Sequence, residues 1–262
     1  MSRRDREAGP KHLYIPDTQV KPDLPQDHIE WAGAYAGIKR PDVIVIGGDW
    51  YDMPSLSIYD AGKLASHGRR YADDVASGSD ALKRFERALR KYGGRGYKPR
   101  KIVTLGNHEE RILRAVESDP KMEGKVSLSD LAFREYGWTV YDFLQPVEIH
   151  GIVYAHYFPL GPNGRVAASK FGAPSAKAQV QRMMRSCTAG HRQGLDVAIL
   201  HTPTATYRGV IAGSYYRHDE GYLTPMGTNY WRGLLMCHDI DPRTGNYNLM
   251  EVDMRYMERR FG

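Results

Sequence analysis

The sequence predicts a layered α/β protein, on three observations. Short apolar runs alternate with segments of helical periodicity along most of the 262 residues, the pattern of sheets covered by helices. The run Asp42-Val43-Ile44-Val45-Ile46 is β-branched after its first residue, which suits a strand buried on both faces. Polar turn residues close the early runs, at Pro16-Asp17, Gly47-Gly48-Asp49 and Gly106-Asn107-His108.

Residues 1–11 read as a loose basic tail, and 12–262 as a single domain. The first strand is 12–15. An acid-flanked helix follows around 25–40, with Ile29, Ala32 and Ala36 on one face. After the strand at 42–46, a helical insertion occupies about 53–100. In its second half Leu82, Phe85, Leu89 and Tyr92 recur at helical spacing, and Gly93-Gly94 stops the helix. The third strand is 101–105. Ser127 with Asp130 makes a capping box for a helix near 128–136. A hairpin pairs 146–149 with 152–156 about Gly151, and Pro174 opens a helix that turns Ala176, Val180 and Met183 or Met184 inward. The chain is strand-rich from Thr188 on, at 196–200, 206–212, 232–240 and 247–253.

A chain this long buries about three quarters of its unfolded surface and needs no covalent staple. Apolar residues at 41% and charged residues at 26% exclude collagen-like, disordered and disulfide-scaffold classes. The only cysteines are Cys187 and Cys237. No apolar leader follows MSRRDREAGPK and no apolar run is long enough for a membrane span, so a reducing, cytoplasmic setting is expected. The net charge of +6 suits a polyanionic partner.

Chemistry concentrates where the apolar runs end. Asp17, Asp49 and Asn107 each follow one directly. His156 closes Ile152-Val153-Tyr154-Ala155, and His191 closes Cys187-Thr188-Ala189-Gly190. Open α/β sheets build their sites at the carboxyl ends of strands, and oxygen and imidazole groups without thiolates make a metal-site composition. Singly, each residue reads equally as a turn, a cap or a structural histidine; the five in order do not.

These blocks carry a resemblance. Asp17-Thr18-Gln19, Gly48-Asp49-Trp50-Tyr51-Asp52, Gly106-Asn107-His108-Glu109, a lone His156 and Gly190-His191-Arg192-Gln193 are similar, in order, to the signature of the calcineurin-like metallophosphoesterases. The stretch Ser55-Leu56-Ser57-Ile58-Tyr59-Asp60 resembles a phage-encoded branch. The resemblance implies two central mixed sheets flanked by helices, in an αββα sandwich. It implies two divalent ions with Asp49 bridging them. Asn107, His156 and His191 would complete one site, and Asp17 would serve the other with Gln19 and Gln193. The family has His at those last two positions. Amide oxygens there favour a harder ion, manganese or magnesium over zinc, iron or nickel, or leave a one-metal protein.

The expected activity is hydrolysis of a phosphoester by a metal-activated water. His108 would protonate the leaving oxygen, oriented by Asp52 or Glu109. Arg111 would grip a phosphate or lie on a solvated helix face. Arg69, Arg70 and Tyr59, with Lys63 and His67, interleave cations and aromatics as a nucleic-acid strand prefers. Ser214–His218 would rim the site. A phosphodiesterase or nuclease is therefore expected. A phosphomonoesterase and a catalytically dead binding scaffold are the rivals.

Overall fold

The structure, a computed structural model, describes residues 8–60, 62–159, 173–219 and 229–262. Its first sheet takes β1 (His12–Ile15), β2 (Val43–Ile46), β3 (Arg100–Thr104) and β4 (Thr139–Tyr141) in parallel. Two antiparallel strands extend it beside β1. A second sheet holds five strands. Numbered in chain order, β5 (Val147–Ile149), β6 (Ile152–Tyr154), β7 (Ser186–Ala189), β8 (Leu195–His201) and β9 (Thr206–Ala212) form it, and β10 (Gly233–His238) and β11 (Asn248–Asp253) belong to the first. The orders are β11-β10-β1-β2-β3-β4 and β5-β6-β7-β9-β8. In the second sheet β6, β7 and β9 run parallel, with antiparallel edges. Both sheets are mixed, as expected.

The period-2 alternation of each strand builds the layers. Leu13, Ile15, Ile44, Ile46 and Val103 face α1 (Asp27–Lys39) and α2 (Tyr71–Gly93). Their neighbours Tyr14, Val43, Val45 and Ile102 meet Ile152, Tyr154 and Val210 of the other sheet. Beyond that sheet, Val153, Cys187 and Ile211 pack on Ala176 and Val180 of α4 (Ala176–Met183). The result is helix, sheet, sheet, helix. Helix α2 connects β2 to β3 and lies tightly on α1: a Cβ at Gly33 would fall 2.4 Å from the Phe85 carbonyl oxygen.

The hairpin turns on His150 and Gly151, at φ 49° and 77°, the two positive angles of a type I′ turn. Several expectations need correction. The Ser127 capping box forms, but it opens only a 3-10 turn, Leu128–Asp130. The next three residues, Leu131, Ala132 and Phe133, are all buried, but they lie in a bend and turns rather than a helix. Tyr92 is 46% exposed rather than inward, since α2 ends at its own turn. Pro174 lies just outside α4, capped by Ser175. Met183 packs inward while Met184, in the left-handed cap, does not. Two helices had no sequence assignment, α3 (Arg111–Ser118) and α5 (Met254–Phe261), and neither had β4. Cys187 and Cys237 are free and buried. Among the described residues no helix is long and apolar enough to cross a membrane.

Candidate metal centre

The parallel strands β1, β2 and β3 deliver Asp17, Asp49 and Asn107 to one end of the first sheet. The parallel strands β6 and β7 deliver His156 and His191 from the second. The five residues converge. His156 Nε2 lies 2.9 Å from Asn107 Oδ1 and 3.3 Å from Asp49 Oδ2. His191 Nδ1 lies 2.7 Å from Asn107 Oδ1 and 3.3 Å from His156 Nε2. Ligand atoms of Asp49, His156 and His191 all fall within 4.8 Å of one another. His156 Nδ1–H donates to the Gly47 carbonyl at 2.8 Å, which leaves Nε2 as the atom offered to the cluster.

Asp17 stands beside this group. Its Oδ1 accepts the His191 N–H at 3.1 Å, and its Oδ2 is buried without a partner. A Cβ at Gly190 would sit 2.4 Å from Oδ1, so only glycine admits the carboxylate there. Gln19 lines the same cleft, and its N–H donates to the Asp49 carbonyl at 2.8 Å. Gln193 is half-buried on the turn after His191. An orphaned buried carboxylate oxygen is an expensive feature in a protein interior. Together with the converging imidazole nitrogens and the Asn107 amide oxygen, this donor set fits a divalent cation.

Burial works to raise the Asp49 carboxyl, but the His108, His156 and His191 imidazoles prevail and hold it well below the carboxylate range. Burial works to lower His156; Asp49 first, then Asp17 and the Gly47 carbonyl, reverse that and lift it to about 10. Burial and the neighbouring His156 lower His191 to about 4. Asp17 is raised to about 7 by burial, with Asp49 adding and His156 opposing. The cluster thus holds protons in strongly unequal fashion, as closely coupled titratable groups do.

His108 lies at the cleft floor. Its Nδ1 is 2.7 Å from Asp52 Oδ1, and its Nε2 is 3.8 Å from Asp49 Oδ2 and 3.0 Å from an Arg111 guanidinium nitrogen. Arg111 is not on a solvated face: it donates to the carbonyls of Asp52 and Met53 at 2.6 and 3.2 Å. Of the two carboxylates expected to orient His108, only Asp52 touches it. Glu109 instead accepts backbone N–H groups from Asp49, Tyr51 and Gly106 at 3.0, 2.9 and 2.8 Å. It laces the loops after β2 and β3 together and is fully buried. Ser214, Tyr215 and Tyr216 are buried too. The Tyr215 N–H donates to the Asp17 carbonyl, so this segment supports the site from beneath and does not rim it.

A cleft of about 970 Å³ runs from Asn107, His108 and His191 to the wall carrying Tyr59, Lys63, Arg69 and Arg70. Tyr59 is 77% exposed, and Arg69 donates to the Pro54 carbonyl at 3.2 Å. Sequence reasoning missed Lys21, whose Nζ lies 3.3 Å from Asp52 Oδ2. It also missed Tyr157, whose ring is 4.7 Å from that of His191, and Phe143, 5.6 Å from Tyr157. The signal for Tyr157 was its place beside His156; Phe143 had none.

No protein-family model matches the chain, and no curated protein is found to resemble it.

Proposed function

We propose that this protein is a metal-dependent phosphoesterase of the calcineurin-like kind, cleaving phosphodiester bonds, with nucleic acid as its substrate class. The observation that carries the reading is the convergence of Asp49, Asn107, His156 and His191. Their ligand atoms face one point, and a divalent ion that displaces the His156 proton would satisfy them together. Asp17, Gln19 and Gln193 would hold a second ion, manganese being favoured by their oxygens. A divalent ion so held supplies positive charge against the phosphoester and lowers the pKa of a water.

The remaining steps belong to the chain itself. Asp52 holds the Nδ1–H of His108; Nε2, which faces the Arg111 guanidinium at 3.0 Å, would carry the proton for the leaving oxygen once Arg111 turns to the phosphate. Burial works to lower the His108 pKa, but Asp49 and Asp52 prevail and raise it, which favours the protonated ring. Arg111, anchored on two carbonyls beside Nε2, is positioned to meet a nonbridging oxygen. Lys21 neutralises the far side of Asp52. Tyr59 and the cations of the 3-10 wall would receive the rest of a polymeric substrate. A cytoplasmic setting is part of the same reading, consistent with two buried free cysteines.

Purified protein should contain manganese or accept it. It should hydrolyse bis-p-nitrophenyl phosphate and single-stranded DNA faster than p-nitrophenyl phosphate. Preference for the monoester would replace the substrate class with a phosphomonoester. Metal content without hydrolysis of any of the three would leave a binding scaffold.

A further inference from the structure

A larger excess of positive charge than that of the catalytic cleft lies elsewhere on the described residues. The cleft wall sets five cations against four carboxylates. Residues 90–101 hold six arginines and lysines, two tyrosines and no acid. They fold into the end of α2 and the loop before β3, around a hollow of about 480 Å³. Four cations line it, Arg90, Arg95, Lys98 and Lys101, against one carboxylate, Glu86. Glu86 is already spoken for: it accepts from Lys101 Nζ at 2.8 Å and from Trp138 Nε1 at 2.7 Å. Arg90, Arg95 and Lys98 are exposed, and none of the three forms an ion pair among the described residues.

We propose that this basic hollow is a docking site for the phosphate backbone of a nucleic-acid strand, separate from the catalytic cleft. The topology separates the two. The loop enters β3 at its amino end, whereas Asn107 follows the carboxyl end; five residues at ~3.3 Å each place ~16 Å of strand between them. The loop is also preorganised. Tyr97 donates to the Pro41 carbonyl at 2.6 Å, and the Arg40 guanidinium stacks 4.7 Å over its ring and donates to Gly93. The backbone that carries Arg95 and Lys98 therefore needs little ordering on binding. A recessed lining favours a narrow strand over a bilayer, whose flat surface reaches only convex points. The half-exposed Tyr92, beside Lys91, offers a face for a base.

The test is binding in EDTA, where hydrolysis plays no part, so this site and the phosphoesterase reading stand or fall separately. A fluorescent single strand of about 30 nucleotides is titrated by anisotropy at several salt concentrations, with wild type and the triple variant Arg90→Ala/Arg95→Ala/Lys98→Ala. Removing three cations that each neutralise one phosphate of a single strand lowers the salt slope by about 2 and weakens binding about 50-fold near 0.15 M salt. The substituted side chains are exposed, so the melting temperature should not move. Should the triple variant fold poorly, Lys98→Glu alone lowers the slope by about 0.7. Wild-type affinity and slope in either variant would overturn the proposal. So would binding of phosphatidylserine vesicles that the variant abolishes, with the oligonucleotide ignored.

Discussion

Metal loading should stabilise the folded chain through the cluster of Asp49, Asn107, His156 and His191, and removing one ligand should abolish that increment. Two imidazole nitrogens 3.3 Å apart, an amide oxygen and a carboxylate oxygen converge on one point. The unfolded chain has no such convergence, so a divalent ion binds the folded state selectively. At a free concentration 100 times its dissociation constant, the ion contributes about 2.7 kcal/mol. With about 2.1 cal/mol/K of unfolding entropy per residue, 262 residues carry roughly 550 cal/mol/K. The ratio is a rise of about 5 °C in melting temperature. The assay is calorimetry of chelated protein with and without excess manganese, for wild type, Asp49→Asn and His156→Ala. The increment is the quantity compared, because His156 is fully buried and its truncation lowers the metal-free baseline by itself. The reasoning fails if Asp49→Asn shows the wild-type increment, or if no divalent ion moves the wild-type transition.

His108→Ala should cost about 100- to 10,000-fold in turnover on a poor leaving group, with bound metal unchanged; a fall in metal content would make His108 a ligand instead. Chelated enzyme should regain more activity with manganese than with zinc at matched free ion, and stronger zinc reactivation would remove the argument from Gln19 and Gln193. The double change Gln19→His/Gln193→His should move the preference toward zinc or iron, and simple loss of metal binding would show that these positions do not face an ion. Acid should destabilise the fold through His28, whose pKa burial depresses to about 3, with Arg217 and His218 adding. A depressed folded pKa gives stability that is complete above about 6.5 and is lost as pH falls toward 3. His28→Phe should flatten denaturant midpoints across that window, and an unchanged slope would clear His28 of the effect.

The legible part of this protein was what repeats along the chain. Runs such as Val43–Ile46 are apolar on both faces because they separate a helix layer from a second sheet, and that composition fixes them as strands at a glance. The five clustered residues Asp17, Asp49, Asn107, His156 and His191 were legible for the same reason: each sits at the first polar position after such a run. Tertiary setting hid the rest. Leu131, Ala132 and Phe133 all join the one core that holds Tyr51, so their apolarity mimics a helix that does not form. Glu109 looked available to His108 from its place in Gly-Asn-His-Glu, but only the fold shows three backbone donors around it. Lys21 and Phe143 come from loops whose direction no local pattern sets.

Backbone conformation bears on whether the centre is a working site or the remnant of one. Gln19, Asp49 and His191 adopt φ of 42°, 50° and 66°, left-handed angles that cost a non-glycine residue of order 1–3 kcal/mol each. Nothing in the sheets requires those angles, since β1, β2 and β7 have already ended. Hydrogen bonds hold each residue there: Gln19 to the Asp49 carbonyl, Asp49 to Glu109, and His191 to Asp17. Glycine at these positions would relieve the strain but remove the side chains from the cluster. A passive sheet end gains nothing from strained residues ringed by a buried carboxylate without a partner. A cation-binding site gains the placing of Asp49 and His191 at one point. Left-handed angles also occur away from the centre, at Arg40 and Met184 among others, so the place of the Gln19 side chain, and not its backbone, separates a built second position from a vacancy beside Asp17. The two-ion form of the proposal rests on that difference.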